Sequence, residues 1–467
     1  MKIHLAMLVS DWLLYGLLAV GVATIVYIRK RPHWREPWRQ LLYRRSAMIT
    51  IVILGFYVGI GLLDSIHVEV IDHANSAYPA SQVVSILDVL LNPVGQQDEK
   101  TYSQPFAMHL YSKEMVTLSS GKQQRIYPRL AYGGAHLASM ADQVKDIALR
   151  LLLGLAVGFV SFMMIAAGWL GWLNFRYRHS KPQFARRVIT GQIRERWRSA
   201  IITFGVIWLF IGMSAFLATS YHILGTDQVG ADVFYESIKS IRTGLIIGTI
   251  TTLFMLPFAL ILGTVAGFFR GWIDDMIQYV YITLSSIPGV LLIAASILVL
   301  QVYIANHANL FPTLMQRADA RLLALCLILG MTSWATLCRL LRGETLKLRD
   351  QEFVQAAHAM SVGRFRIVLR HIIPNVFHMV LITLVLNFSE LVLAEAVLSY
   401  VGVGVDPTTM SWGNMINSAR LQLAREPIVW WPLISALIFM FILVLSANIF
   451  ADAVRDALDP RLREIEQ

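Results

Sequence analysis

Few residues of this 467-residue chain have both the type and the setting to do chemistry. The most telling are four polar groups inside one long apolar run: Asn387, Ser389, Glu390 and Glu395. Ionisable groups at membrane depth are costly and face a bundle interior or a watery cavity, so a solute path is the chemistry they suggest. Glu390 is a candidate for attracting a cation. Glu395 serves equally well as a hydrogen-bonding link between helices. Five residues apart, the two project about 140° from each other around a helix and cannot line one narrow surface equally.

Nucleotide, metal and acyl chemistry find no comparable support. A Walker A loop needs Gly, four residues, then Gly-Lys and Ser or Thr, so that backbone amides and the Lys cradle phosphates. The nearest look-alike, Ser-Ser-Gly-Lys-Gln-Gln around Lys122, lacks the first Gly and the hydroxyl residue. HExxH, paired CxxC and GxSxG are absent, the twelve His show no ligand spacing, and Cys326 and Cys338 share one apolar run. The expectation is a chain that is not an enzyme, with no catalytic residue, no metal and no cofactor of its own.

The elements that would position the four polar groups follow from composition. Soluble domains average about 45–50% apolar and about 25% charged residues, whereas this chain is 56% hydrophobic and 15% charged. Its apolar residues cluster into nine runs long enough to cross a membrane, near 7–28, 47–67, 149–174, 199–221, 243–269, 277–305, 321–341, 376–402 and 428–452. The net charge of +10 lies in Lys and Arg clusters beside these runs, a pattern that orients membrane helices and gives no reason to expect nucleic acid. The Arg-rich segments after the first and third runs predict those loops on the cytoplasmic side, which places the N-terminus outside and the C-terminus inside. The first run lacks a cleavage pattern and has a stop-transfer flank, so it is expected as a retained helix. The predicted class is an all-α integral membrane protein with nine transmembrane helices.

Four regions are expected. Residues 1–67 hold two helices and a basic loop, and 68–146 form a hydrophilic insert on the outer side. Residues 147–198 hold the third helix and a second basic loop, and 199–467 hold the last six helices with a cytoplasmic loop at 342–375. Within that loop Phe353, Ala356, Ala357 and Met360 fall on one helix face, predicting a short amphipathic helix from Glu352 to Ser361.

This loop resembles that of the C-type permeases of dipeptide, oligopeptide and nickel ABC importers, a family of binding-protein-dependent transport components. The family carries Glu-Ala-Ala, three residues, Gly and a distal Pro. Here Gln355, Ala356 and Ala357 take the first places, Ser361 the Gly place, and Ile367 through His371 to Pro374 the distal part. Gly363 is a candidate for the helix break. Three further stretches match in order: His222 to Val233, with Gly225, Thr226, Asp227, Gly230 and Asp232; Leu398 to Val405, followed by Ser411, Trp412, Gly413, Asn414 and Met415; and the stretch from Asp452 to Arg463. The resemblance covers about 199–463 and implies a six-helix type I permease core in a bacterial inner membrane. It implies Glu352, Gln355, Ala356, Ala357, Ser361, Gly363, Arg366, His371 and Pro374 as the ATPase-coupling loop. It further implies a second, B-type permease, two cytoplasmic ATPases carrying ATP and Mg, an external binding protein, and short peptides or peptide-like solutes as substrate.

Two other readings stay open. An ion-coupled secondary transporter would use Glu390, Glu395 and Asp64 as proton sites, and would usually show internal repeats with broken helices in matching positions. A structural subunit would recruit partners through the insert and have no path. Elsewhere, Pro257, Gly263, Gly267 and Pro288-Gly289 mark close packing or hinges. Asp64 and His67 are expected at a membrane boundary, Trp430 and Trp431 in the aromatic belt, and Asp274 and Asp275 in a tight inner turn.

Overall fold

The computed structural model describes residues 2–5, 7–30, 38–72, 80–95, 97–117, 123–176, 196–311 and 313–458. The expected features at 31–37, at 177–195, at Lys122 and after 458 lie outside them. In chain order the principal elements are β1 (Lys2–Leu5), α1 (Val9–Arg29), α2 (Arg45–Asp64), β2 (His67–Asp72), β3 (Ala80–Ser85), β4 (Glu114–Thr117) and β5 (Gln123–Ile126). The remainder are α3 (Gln143–Arg176), α4 (Trp197–Ala218), α5 (Val233–Phe269), α6 (Trp272–Ser286), α7 (Gly289–Asn306), α8 (Leu314–Arg349), α9 (Glu352–Ala359), α10 (Ile373–Tyr400), α11 (Trp412–Gln422) and α12 (Trp431–Leu458). Nine spans are long and apolar enough to cross a membrane among the described residues.

One boundary differs in kind from the sequence expectation. The run at 277–305 is not one helix but two, α6 and α7, parted at Ile287 and Pro288, and the apolar span is Gly289–Asn306. Pro288 has no N–H to continue the ladder of α6 and disfavours helical geometry at the residue before it. Ile287 accordingly sits in extended backbone at φ −84° and ψ 129°. α5 and α8 exceed expectation in length, at 37 and 36 residues. At 1.5 Å per residue each is about 55 Å long, well beyond a hydrocarbon core of about 30 Å. Their ends therefore stand clear of the apolar layer and can carry loops.

The chain divides into two compact units. The first holds residues 1–6, 32–242 and 410–446. Its helices α3 and α4 meet through glycine: a Cβ on Gly154 would lie 2.7 Å from Gly212 O, and one on Gly212 would lie 2.8 Å from Gly154 O. The insert of this unit is not a featureless cap. β1, β2 and β3 form an antiparallel sheet in that order, with His4 opposite Glu69 and Val68 opposite Val84, and β4 pairs with β5 as a hairpin.

The second unit holds residues 7–31, 243–409 and 447–467. One cluster of buried residues joins Met255, Leu341, Val354, Ile367, Ile372 and Val376, and another joins Ile246, Ile297, Leu325 and Leu391. A Cβ on Gly263 would lie 2.8 Å from Cys338 O and one on Gly267 2.7 Å from Arg342 O. These two glycines of α5 thus bring its backbone against α8, which is the small-residue packing expected of membrane helices. Arg342 holds Asp274 at two points, Nε to Oδ1 at 2.6 Å and Nη2 to Oδ2 at 2.7 Å, and so pins the start of α6 to α8.

Candidate functional site

The segment after α8 is built to present one helix face while burying the other. α9 spans Glu352–Ala359, and its Val354 and Ala357 are buried in the core of the second unit. Phe353 is 42% exposed and Met360 79%, with Ala356 exposed beside them. Ala357 therefore does not share the open face expected for it. At 100° per residue it lies on the edge shared with Val354, and the core captures it. Phe365 and Leu369, 72% and 66% exposed, extend the apolar surface.

The helix ends in a Schellman motif: Ser361 N–H donates to His358 O at 3.0 Å and Val362 N–H to Ala357 O at 3.1 Å. Ser361 occupies the left-handed position at φ 56°, where glycine is the least strained residue. Gly363 does not make the break expected of it. Its φ of −59° is ordinary, and it caps the short helix Arg364–Ile367. Gln355 Nε2 donates to Asp350 O at 3.2 Å, a bond that an ionised Glu in its place would lack a proton to make. His358 stacks on Phe268 with ring centroids 5.7 Å apart. Exposed Glu352 begins the helix and exposed Arg366 follows it.

Beyond Ile367 the chain widens into a π-helical turn, Val368–Ile372, where Ile373 N–H donates to Val368 O. That turn precedes Pro374, which cannot donate into the helical ladder. Asn375 Nδ2 donates to His371 O at 2.7 Å. Single π-turns of this kind are rare and concentrate where function requires an irregular helix.

In the first unit the segment from His222 to Val233 is held by the insert. Thr226 N–H donates to Ser103 O at 3.1 Å, Ser103 N–H to Thr226 Oγ1 at 2.7 Å, and Glu99 N–H to Gly230 O at 3.0 Å. Asp227 Oδ1 accepts from the N–H groups of Val229 and Ala231, closing a turn in which Gly230 stands at φ 86°. A Cβ on Gly230 would come within 1.8 Å of Glu99 O, and one on Gly225, at φ 73°, within 2.3 Å of Ser103 O. Both glycines are thus required by close approach of a second chain segment.

At the centre of this contact, buried His222 places Nδ1 2.7 Å from Asp232 Oδ2 and Nε2 3.5 Å from Glu99 Oε1. Burial opposes protonation of the imidazole, but Asp232 and then Glu99 outweigh it and raise its pKa to about 9. Burial likewise disfavours the Glu99 carboxylate. His222 and the N–H groups of Ala131, Tyr132 and Gly133, at 2.8–3.2 Å, prevail and hold its pKa down at about 2. Sequence reading missed Glu99 because its partners lie more than thirty residues away and carry no local pattern.

One further expectation is corrected nearby. Trp431 is not a belt residue: it is 2% exposed and its Nε1 donates to Thr226 O at 3.0 Å, while Trp430 is 46% exposed. Asp64 ends the second apolar span and is buried there, accepting from Ser85 Oγ at 2.7 Å, with Lys239 Nζ 3.5 Å away. Ser411 caps α11, its Oγ accepting from Asn414 N–H at 3.0 Å, and beside buried Gly413 the Trp412 indole donates to Ser237 O at 3.1 Å.

The four polar groups of α10 separate as their spacing requires. Glu395 is buried and accepts from Ser399 Oγ at 2.7 Å, and Ser389 is buried too. Asn387 Nδ2 lies 3.5 Å from Met255 Sδ, and Glu390 is exposed on the other side of the helix.

Nine apolar spans among the described residues and an anchored loop with an open apolar face define a multi-pass membrane subunit. Comparison with known proteins makes this specific. Residues 259–464 match the family model of the binding-protein-dependent transport system inner membrane component. The chain is 31% identical over 246 residues to the oligopeptide transport system permease protein OppC of Mycobacterium bovis, covering 53% of this chain and 78% of the relative. It is 29% identical over 243 residues to OppC of Bacillus subtilis (52% and 73%), and 29% over 245 residues to the glutathione transport system permease protein GsiD of Pectobacterium atrosepticum (52% and 74%). The chain belongs to this family of inner membrane transport components, as a C-type permease of the peptide ABC importer type.

Proposed function

We propose that this permease carries short peptides or peptide-like solutes, delivered by a binding protein outside, along a path it completes with a second, B-type permease. Two ATPase subunits, carrying ATP and Mg, drive it from the cytoplasm by docking on α9. The single observation that carries the coupling role is the split burial of α9: Val354 and Ala357 sit in the core, while Phe353, Ala356 and Met360 stay open beside Phe365 and Leu369. A docked ATPase that moved this face would move the core cluster, because the helix is anchored through its other side. In this reading the basic loops face the cytoplasm, the N-terminus lies outside and the insert stands at the outer face. Glu390, exposed on a single chain, is the path candidate that attracts the peptide amine, and Glu395 holds helix structure through Ser399. Peptide and glutathione transport are what the named relatives do, and these support the substrate class.

The test is mild-detergent purification of the tagged chain with mass spectrometry of co-purifying proteins, followed by ATP-driven peptide uptake in vesicles. Ala356→Glu should abolish uptake and release the ATPases while the thermal melt of the chain stays unchanged, since Ala356 is exposed. Uptake that survives Ala356→Glu, or uptake driven by a proton gradient without ATP, would replace this reading with the secondary-transporter one.

A further inference from the structure

The first unit contains a cavity that the transport reading does not use. It has a volume of about 290 Å³ and lies between α2, α3 and α4, lined only by apolar and aromatic side chains that include Val52, Phe162, Ala166, Trp169, Trp197 and Phe204. Helix packing explains why it exists. α3 and α4 touch backbone to backbone at Gly154 and Gly212, and Phe162 still nests against Gly205. Past that point Trp169 and Trp197 meet edge to face at 5.2 Å between centroids, and rings of this size hold the helices apart.

The open end of the wedge is also the charged end. Exposed Arg45 begins α2, and exposed Arg196 and Arg198 flank the start of α4. Arg196 N–H donates to Leu42 O at 2.9 Å, which ties these two helix starts together. Neither helix has an acidic residue in its first turn. On α4 the apolar lining starts at Trp197, between Arg196 and Arg198, while on α2 Val52 lies seven residues, about 10 Å along the helix, beyond Arg45. Tryptophans between a basic rim and an apolar cavity occupy the position of the membrane interface.

We propose that this groove binds one acyl chain of an anionic phospholipid, with Arg45, Arg196 and Arg198 holding its phosphate headgroup. The cavity is large enough to matter: engineered apolar cavities of about 150 Å³ stay dry and bind small hydrocarbons. Basic residues at a membrane surface add attraction for anionic lipid that neutral headgroups do not share. The helices α2, α3 and α4 would thereby sense membrane composition.

The experiment titrates the full-length chain in mild detergent with phosphatidylglycerol or phosphatidylcholine and counts bound lipid by native mass spectrometry. One phosphatidylglycerol should be retained, with phosphatidylcholine at least tenfold weaker. Arg45→Gln combined with Arg196→Gln and Arg198→Gln should weaken phosphatidylglycerol about tenfold or more, and Ala166→Trp, which fills the groove, should abolish retention of both lipids. Equal retention of the two lipids, or unchanged retention in Ala166→Trp, would overturn the assignment. A measurement without variants guards against misfolding: phosphatidylglycerol brominated in its chains should quench tryptophan fluorescence saturably at low lipid fraction. Brominated phosphatidylcholine should quench only in proportion to its amount, and identical curves for the two lipids would also refute the site.

Discussion

The loop around α9 and the segment from His222 to Val233 are both short, both rich in small residues and both bent through left-handed backbone, yet they end differently. In the first, Phe353, Ala356, Met360 and Phe365 are left uncovered by the chain. In the second, Gly225, Thr226 and Gly230 are covered by the insert so closely that no Cβ fits at either glycine. Small residues therefore serve two purposes here: at Ala356 they keep a surface free for another subunit, and at Gly225 and Gly230 they admit a segment of the same chain. A motif alone does not announce which purpose applies.

The comparison predicts that damage in the first region is functional and damage in the second structural. The largest stability loss is expected for Glu99→Ala, which leaves a buried charged imidazole and three backbone N–H groups without their partner. Breaking such a buried pair costs about 3–5 kcal/mol, and thermal unfolding in detergent would register it. Loss of uptake with an unchanged melt would break the distinction between the regions.

Next comes pH. His222 has its pKa raised in the folded chain, so its contribution is complete below about pH 6.5 and lost as pH rises through about 9. The loss is on the order of 3 kcal/mol. Hydrogen exchange in the segments 97–117 and 123–135 should accelerate across that window in the native chain, and much less in Asp232→Asn, which removes the stronger of the two carboxylate partners of His222. Exchange that slowed with rising pH, after correction for intrinsic chemistry, would contradict the assignment of charge.

A smaller pair of effects sharpens the comparison inside the second unit. The end of α10 carries the same Schellman motif as α9, with Gly402 N–H donating to Ser399 O and Val403 N–H to Leu398 O, but with Gly402 at φ 85° where α9 has Ser361. Ser361→Gly should stabilise and Gly402→Ser destabilise, each by about 1 kcal/mol. If Ser361→Gly also raises uptake per ATP hydrolysed, the serine is a tuned weakness in coupling. The least effect is expected for Gln355→Glu, which removes one exposed hydrogen bond to Asp350 O and should cost no more than about 0.5 kcal/mol.

Much of this architecture was legible along the chain because a membrane imposes a one-dimensional rule. A helix must be long and apolar, so the nine runs could be counted from residue type alone, and the spacing of Glu390 and Glu395 placed them on different faces before any coordinates. Local chemistry announced the amphipathic helix as well, expected from Glu352 to Ser361 and observed over Glu352–Ala359. What it could not announce was decided by distant partners. Ala357 joined the core because Val354 beside it did, Ser361 took the left-handed position while Gly363 was spared it, and Pro288 divided a run that hydropathy joined. Trp431 was drawn from the expected aromatic belt into a buried hydrogen bond by Thr226, and Asp64, at the end of its span, found a buried partner in Ser85. Glu99 and His222, 123 positions apart in sequence, became one buried ion pair. Sequence alone determined what must lie in lipid, because transfer of a side chain from water depends on that side chain. Only the tertiary structure decided which polar groups satisfy one another, because hydrogen bonds and close approach depend on which segments meet.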